Sequence, residues 1–116
     1  MTAATHNFVI EQGATFRQAL IWKDSDQVPV NLTGYVARMQ ARRSRTAEDA
    51  VVDLSSTTGG ITLGGATGQI TLNISAAVTE TYTWPRAFYD LELVAPTGVV
   101  TRLLQGELEV SVGFTR

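Results

Sequence analysis

The stretch YVARMQAR, residues 35–42, alternates without a break: Tyr35, Ala37, Met39 and Ala41 fall on one side, and Val36, Arg38, Gln40 and Arg42 on the other. An extended chain points successive side chains to opposite faces, so this pattern makes one apolar face and one polar face. Residues 35–42 therefore read as a half-buried strand with its arginines in solvent. The same period recurs on both sides. In residues 7–12, Phe8 and Ile10 oppose Asn7, Val9 and Glu11. In residues 15–23, Phe16, Leu20 and Trp22 share a face with Gln18, against Arg17, Ala19, Ile21 and Lys23, so this strand is one-sided only in part. Downstream, residues 51–54 and 61–63 read as short strands, and residues 69–74 turn Ile70, Leu72 and Ile74 inward. Residues 87–94 and 99–105 pair as a hairpin across Ala95-Pro96-Thr97-Gly98. Gly106 marks a bulge or kink, and residues 107–114 close the chain with Leu108, Val110, Val112 and Phe114 inward.

The segments between these strands carry turn chemistry. Gly13-Ala14 is a break, and Asp24 to Gln27 is a polar turn. Pro29 cannot donate a ladder hydrogen bond, so residues 28–33 form an edge strand or an extended connector. Residues 43–50 are the most charged part of the chain and lack a period; they read as a surface loop. Residues 75–82 are the one helix candidate. Ser75 caps it, Ala76, Ala77 and Glu80 favour it, and Thr79, Thr81 and Pro85 hold it to about two turns. About seven to nine short strands with a turn near every tenth residue predict an all-β sandwich. No repeat or linker divides it, so residues 1–116 read as a single domain.

Composition narrows the function classes. The 116 residues have room for one core, and 44% are apolar, as in a globular domain. Only 17% are charged, which makes a surface that is easily desolvated against another subunit. The net charge of −2 lacks the basic excess of a free nucleic-acid binder. The absence of cysteine excludes disulfides and thiolate metal sites. Residues 1–6 have neither the basic nor the apolar region of a secretory signal, and no apolar run nears the roughly 18 residues of a membrane span. Synthesis and folding in a cytoplasm, away from membranes, are the expectation.

No residue set reads as catalytic, cofactor-binding or metal-binding. His6 is the single histidine, without the oriented partners of a nucleophilic triad. Asp24 and Asp26 imitate the start of a calcium loop, but the sixth and twelfth positions hold Pro29 and Tyr35 where glycine and glutamate are required. The glycines of residues 59–68 lack the Gly-Lys-Ser/Thr ending of a phosphate cradle and read as turn residues. The carboxylates Asp90 and Glu92, like Glu107 and Glu109, stand two apart on a strand face. There they keep the sheet soluble rather than flank a cleft. The one basic cluster is Arg38, Arg42, Arg43 and Arg45, with Glu48 and Asp49 close enough to neutralise part of it. Arg38, Gln40 and Arg42 on the strand, and Arg43, Arg45, Glu48 and Asp49 in the loop, are the expected partner-facing residues. The Thr- and Gly-rich loops of residues 57–68 join them as candidates.

Three stretches carry a family resemblance. FVIEQGATF (residues 8–16) and VPVNLTGY (28–35) resemble the opening of the immunoglobulin-like domains at the N-terminus of phage baseplate upper proteins and related small tail proteins. FYDLELVAPTGVVTRLLQGELEVS (88–111) resembles their closing hairpin and last strand, and the short helix before Tyr89 is similar too. The resemblance implies an immunoglobulin-like β-sandwich, with Tyr89 in the role of the tyrosine corner of such folds. It further implies a non-enzymatic structural protein of a tailed bacteriophage virion, a small multicopy tail, baseplate or fibre-attachment component without a cofactor. Other phage structural proteins and further copies in a symmetric homo-oligomer would be its partners. The baseplate upper proteins continue into a long C-terminal region, whereas this sequence ends with its last strand, as a free-standing version of the domain would. A capsid or head-to-tail decoration protein, and a host-surface carbohydrate-binding module acting through Trp22 or Trp84, are the alternatives.

Overall fold

Alternating segments can bury their apolar sides only by stacking one sheet on another. The computed structural model, which describes residues 3–113, shows this arrangement. One sheet has the strand order β1 (Ala4–Thr5), β9 (Val100–Ser111), β8 (Arg86–Val94), β4 (Val36–Arg42), β5 (Val52–Ser55); β2 (Phe8–Glu11) also joins β9. The second sheet has the order β3 (Phe16–Ile21), β7 (Gln69–Ile74), β6 (Ile61–Leu63). β1 and β2 lie parallel to β9, and the other strand pairs are antiparallel. The inward residues of both sheets merge into one core, with Ile10, Met39, Ile70, Leu72, Leu91 and Leu108 almost wholly excluded from solvent. Each such side chain contributes about 1.5–3 kcal/mol by its burial.

The strand reading at residues 35–42 holds: Ala37, Met39 and Ala41 are buried while Val36, Arg38 and Gln40 face out. Ile70, Leu72 and Ile74 point inward as expected. Residues 28–33 are a connector, bridged to the sheet only where Pro29 meets Lys23, with Leu32 buried as a plug.

Four expectations change. The helix α1 (Ala76–Thr79) is a single turn, capped by the Ser75 hydroxyl oxygen, which accepts from the Val78 amide at 3.3 Å. Its Thr79 faces inward and is completely buried. The Thr79 hydroxyl donates to the Ala14 carbonyl (2.8 Å) and accepts from the Gly13 amide (3.1 Å), which pins the helix to the turn between β2 and β3. Secondly, the expected kink at Gly106 is absent, because β9 runs unbroken through it. The irregularity lies earlier: Leu91 pairs with Leu104 and Glu92 with Arg102, leaving Leu103 as the extra residue. Gly106 is instead a point of close approach, since a Cβ there would overlap the His6 carbonyl oxygen. Thirdly, Val112 is 58% exposed, because the last β2–β9 pair is Glu11 with Ser111 and, among the described residues, no strand continues the layer beyond it. Phe114 lies outside the described residues. Finally, Ala4 and Thr5 pair with Leu104 and Gln105, although nothing in their own sequence marks a strand.

Candidate interaction surface

The outer face of the larger sheet is built by register. Arg38 stands between Ser55 and Glu92, and Glu92 beside Arg102; Gln40 stands between Asp53 and Asp90, and Asp90 beside Gln105. These rows bring opposite charges together. Arg38 Nε meets Glu92 Oε1 at 2.9 Å, Arg102 Nε meets Asp90 Oδ2 at 3.4 Å, and Gln40 Nε2 donates to Asp53 Oδ2 at 3.3 Å. Burial holds the Asp90 carboxyl above its ordinary value, a shift that Arg102 offsets only in part. Above the first row lies an apolar one of Val36, Val94 and Val100, and below the second sits the half-exposed ring of Phe88.

Of the predicted partner-facing residues, the structure gathers some and separates others. Arg38 and Gln40 stand in the charged rows. Arg42 is half-buried and turns inward along the loop: it donates to the Gln40 side chain (3.0 Å) and to the backbone carbonyls of Ala47 (3.3 Å) and Glu48. Arg42 thus closes the loop over residues 43–50, and it meets the backbone of Glu48 rather than its carboxylate. Arg45 reaches a depression of about 370 Å³ that it shares with Gln40, Arg42, Phe88 and Asp90. Arg43, Glu48 and Asp49 are exposed, and among the described residues they form no ion pair. Within the arginine cluster only Arg38 gains an ion pair among the described residues, and its partner is Glu92 on the neighbouring strand rather than Glu48 or Asp49; Asp90 pairs with Arg102 instead. Sequence reasoning missed this because it treated Asp90 and Glu92 apart from Arg38; the shared alternation of residues 35–42 and 87–94 was the available signal.

The remaining candidates take structural places. The Asp24 carboxylate accepts from the amides of Asp26 (2.9 Å) and Val28 (3.0 Å), closing a turn. Gly68 has φ +69°, and its backbone approaches Trp22 so closely that a Cβ would stand 2.7 Å from the Trp22 carbonyl. Trp84 is buried against Tyr82 with ring centroids 5.1 Å apart, so it offers no open ring face for a sugar. Trp22 is half-buried, edge-on to Tyr35. Tyr89 does not bond back to the corner before its own strand. Its hydroxyl donates to His6, on the N-terminal edge, and burial pushes its pKa up to about 12. Among the described residues, no three histidine or carboxylate side chains gather as metal ligands, and no helix is long and apolar enough to cross a membrane.

No protein-family model and no curated protein sequence matches the chain. Solved structures do match in fold. The extracellular domain of the voltage-gated sodium channel beta4 subunit, described as a parallel homodimer that explains its role in cell-cell adhesion, aligns with a TM-score of 0.54 at 11% identity, over 98% of this chain and 97% of that one. A second structure, from work on multimeric cell-adhesive interactions of the sodium channel beta subunits, aligns with a TM-score of 0.52 at 12% identity, over 92% of each chain. The chain is an all-β, immunoglobulin-like sandwich. At these identities the likeness is one of fold.

Proposed function

We propose that the chain is a non-enzymatic structural protein of a tailed bacteriophage virion, a small multicopy component of the tail, baseplate or fibre attachment assembled in the host bacterial cytoplasm. The observation that carries its use as an assembly module is the outer face of the larger sheet. Arg38, Arg42, Arg86 and Arg102 alternate there with Asp53, Asp90, Glu92, Glu107 and Glu109 in a fixed grid, flanked by exposed Val36, Phe88 and Val100. A nearly neutral face of mixed sign with apolar margins suits docking onto another protein, because complementary charges fix register while the apolar rim excludes water. The phage address is supported by the resemblance over residues 8–16, 28–35 and 88–111. The homodimer named for the sodium channel beta4 neighbour offers a precedent for contact between copies of such a sandwich.

The test is quantitative mass spectrometry of gradient-purified virions from the host that carries the gene. Peptides of the chain at several copies per particle support the reading, and their absence from complete particles refutes it.

A further inference from the structure

β3 has an open hydrogen-bonding edge. It pairs only with β7, because β1 and β2 both cross to β9 in the opposite sheet. The Trp22 amide donates to the Gly68 carbonyl and the Trp22 carbonyl accepts from Val30, both at 2.9 Å, so the backbone of Trp22 faces the β7 side. Strand alternation then turns Leu20, Gln18 and Phe16 toward β7, and leaves the amides and carbonyls of Arg17, Ala19 and Ile21 pointing out of the sheet. Among the described residues, no partner strand meets this edge.

The side chains show the same gap. Gln18 sits on the core-facing side of β3 yet is exposed, and Ile21 is 58% exposed. A cleft of about 400 Å³ opens beside it, lined by Leu20, Ile21, Trp22 and Leu104 and by the polar side chains of Lys23 and Gln27. Natural edge strands are commonly blunted by proline, inward charges or bulges. β3 has no proline, no bulge against β7 and a single charge, Arg17.

We infer that β3 binds the β3 of a second copy, antiparallel about a two-fold axis at Ala19. This deepens the assembly reading above by naming the partner and the edge. In this register Ala19 faces Ala19, and Arg17 faces Ile21 twice, so each outward amide finds an outward carbonyl. Charge disfavours one competing register. The two Arg17 guanidiniums are held apart by Ile21, and Lys23 falls opposite Thr15, whereas an axis at Arg17 would set two cations face to face. An axis at Ile21 would drive the pair into the turn closed by Asp24. The two three-stranded sheets become one continuous sheet, and the clefts lie along the junction.

The chain has no cysteine, so an Ala19→Cys variant reports on the axis alone. Hydrogen-bonded antiparallel partners have Cα atoms about 5.5 Å apart, within disulfide range. Mild oxidation should give a covalent dimer of Ala19→Cys, and none of Thr97→Cys at the distant hairpin tip. Ile21→Lys, which sets a second cation against Arg17 twice, should raise the dimer dissociation constant about tenfold by sedimentation equilibrium. Adding Arg17→Glu to Ile21→Lys should restore association. A natively folded Ala19→Cys variant that stays monomeric on oxidation overturns the inference, as does unchanged association of Ile21→Lys. A chain that fails these tests but is found in virions loses the β3 edge and keeps the virion role. One that passes them but is missing from virions does the reverse.

Discussion

The Tyr89 hydroxyl donates a 2.6 Å hydrogen bond to the carbonyl oxygen of His6, joining residues 83 apart in sequence. His6 lies at the junction of β1 and β2, where its amide donates to Gln105 and the Asn7 side chain accepts from the Glu107 amide. Gly106 leaves the space into which this junction settles. Tyr89 therefore fastens the N-terminal edge to the middle of the larger sheet. Tyr89→Phe keeps the ring and leaves the His6 carbonyl without its partner, so it should cost about 1–3 kcal/mol in urea unfolding. Hydrogen exchange at His6 should quicken while β7 stays protected.

Burial of the same phenol sets an alkaline limit. The Tyr89 pKa is raised from 10.0 to about 12 by burial, and burial raises that of Tyr82 too. The folded state favours the neutral phenols. The Tyr89 contribution is complete below pH 10 and is lost as pH rises from 10 through about 12, and that of Tyr82 is lost in the same direction. The urea midpoint should hold steady up to about pH 10 and then fall. In Tyr89→Phe that fall should be shallower, since one of the two titrating groups is gone.

Thr79 is the one buried polar side chain of the described core. Thr79→Val preserves shape but strands the Gly13 amide and the Ala14 carbonyl, at an expected cost of about 1–3 kcal/mol in chemical denaturation. Thr79→Ser keeps the hydroxyl and should recover most of the hydrogen-bond share of that loss.

Arg38 and Glu92 form a well-aligned pair, but the arginine side chain is 55% exposed. A double-mutant cycle on the two should give a coupling of about 0.2–1 kcal/mol that fades in high salt. The pair orders the outer face and leaves the fold nearly indifferent to it. Arg38→Ala should consequently leave thermal stability almost unchanged, as measured by differential scanning calorimetry.

The fold was legible where burial is local and one-sided. β4, β7 and β8 show their inner faces in alternation alone, and the Ser75 cap announces the helical turn. What stayed hidden depends on partners distant in sequence. Ala4 and Thr5 become strand only because β9 offers an edge. Gly106 reads as a bend when its cause is a carbonyl from His6. Gln18 reads as a flaw in the β3 pattern until the missing neighbour of β3 is seen. The site behaved likewise: Arg38 and Gln40 were visible as an outward face, but Asp53, Asp90, Glu92 and Arg102 joined it through strand register, which no single segment encodes. Arg42 looked free because its loop-closing bonds go to backbone carbonyls.

High-resolution cryo-electron microscopy of intact virions from the host that carries the gene is the decisive measurement of the virion role. A virion component should give repeated, symmetry-related density at the tail, baseplate or fibre attachment that fits this sandwich. Fully interpreted particles with no density for the chain would contradict it.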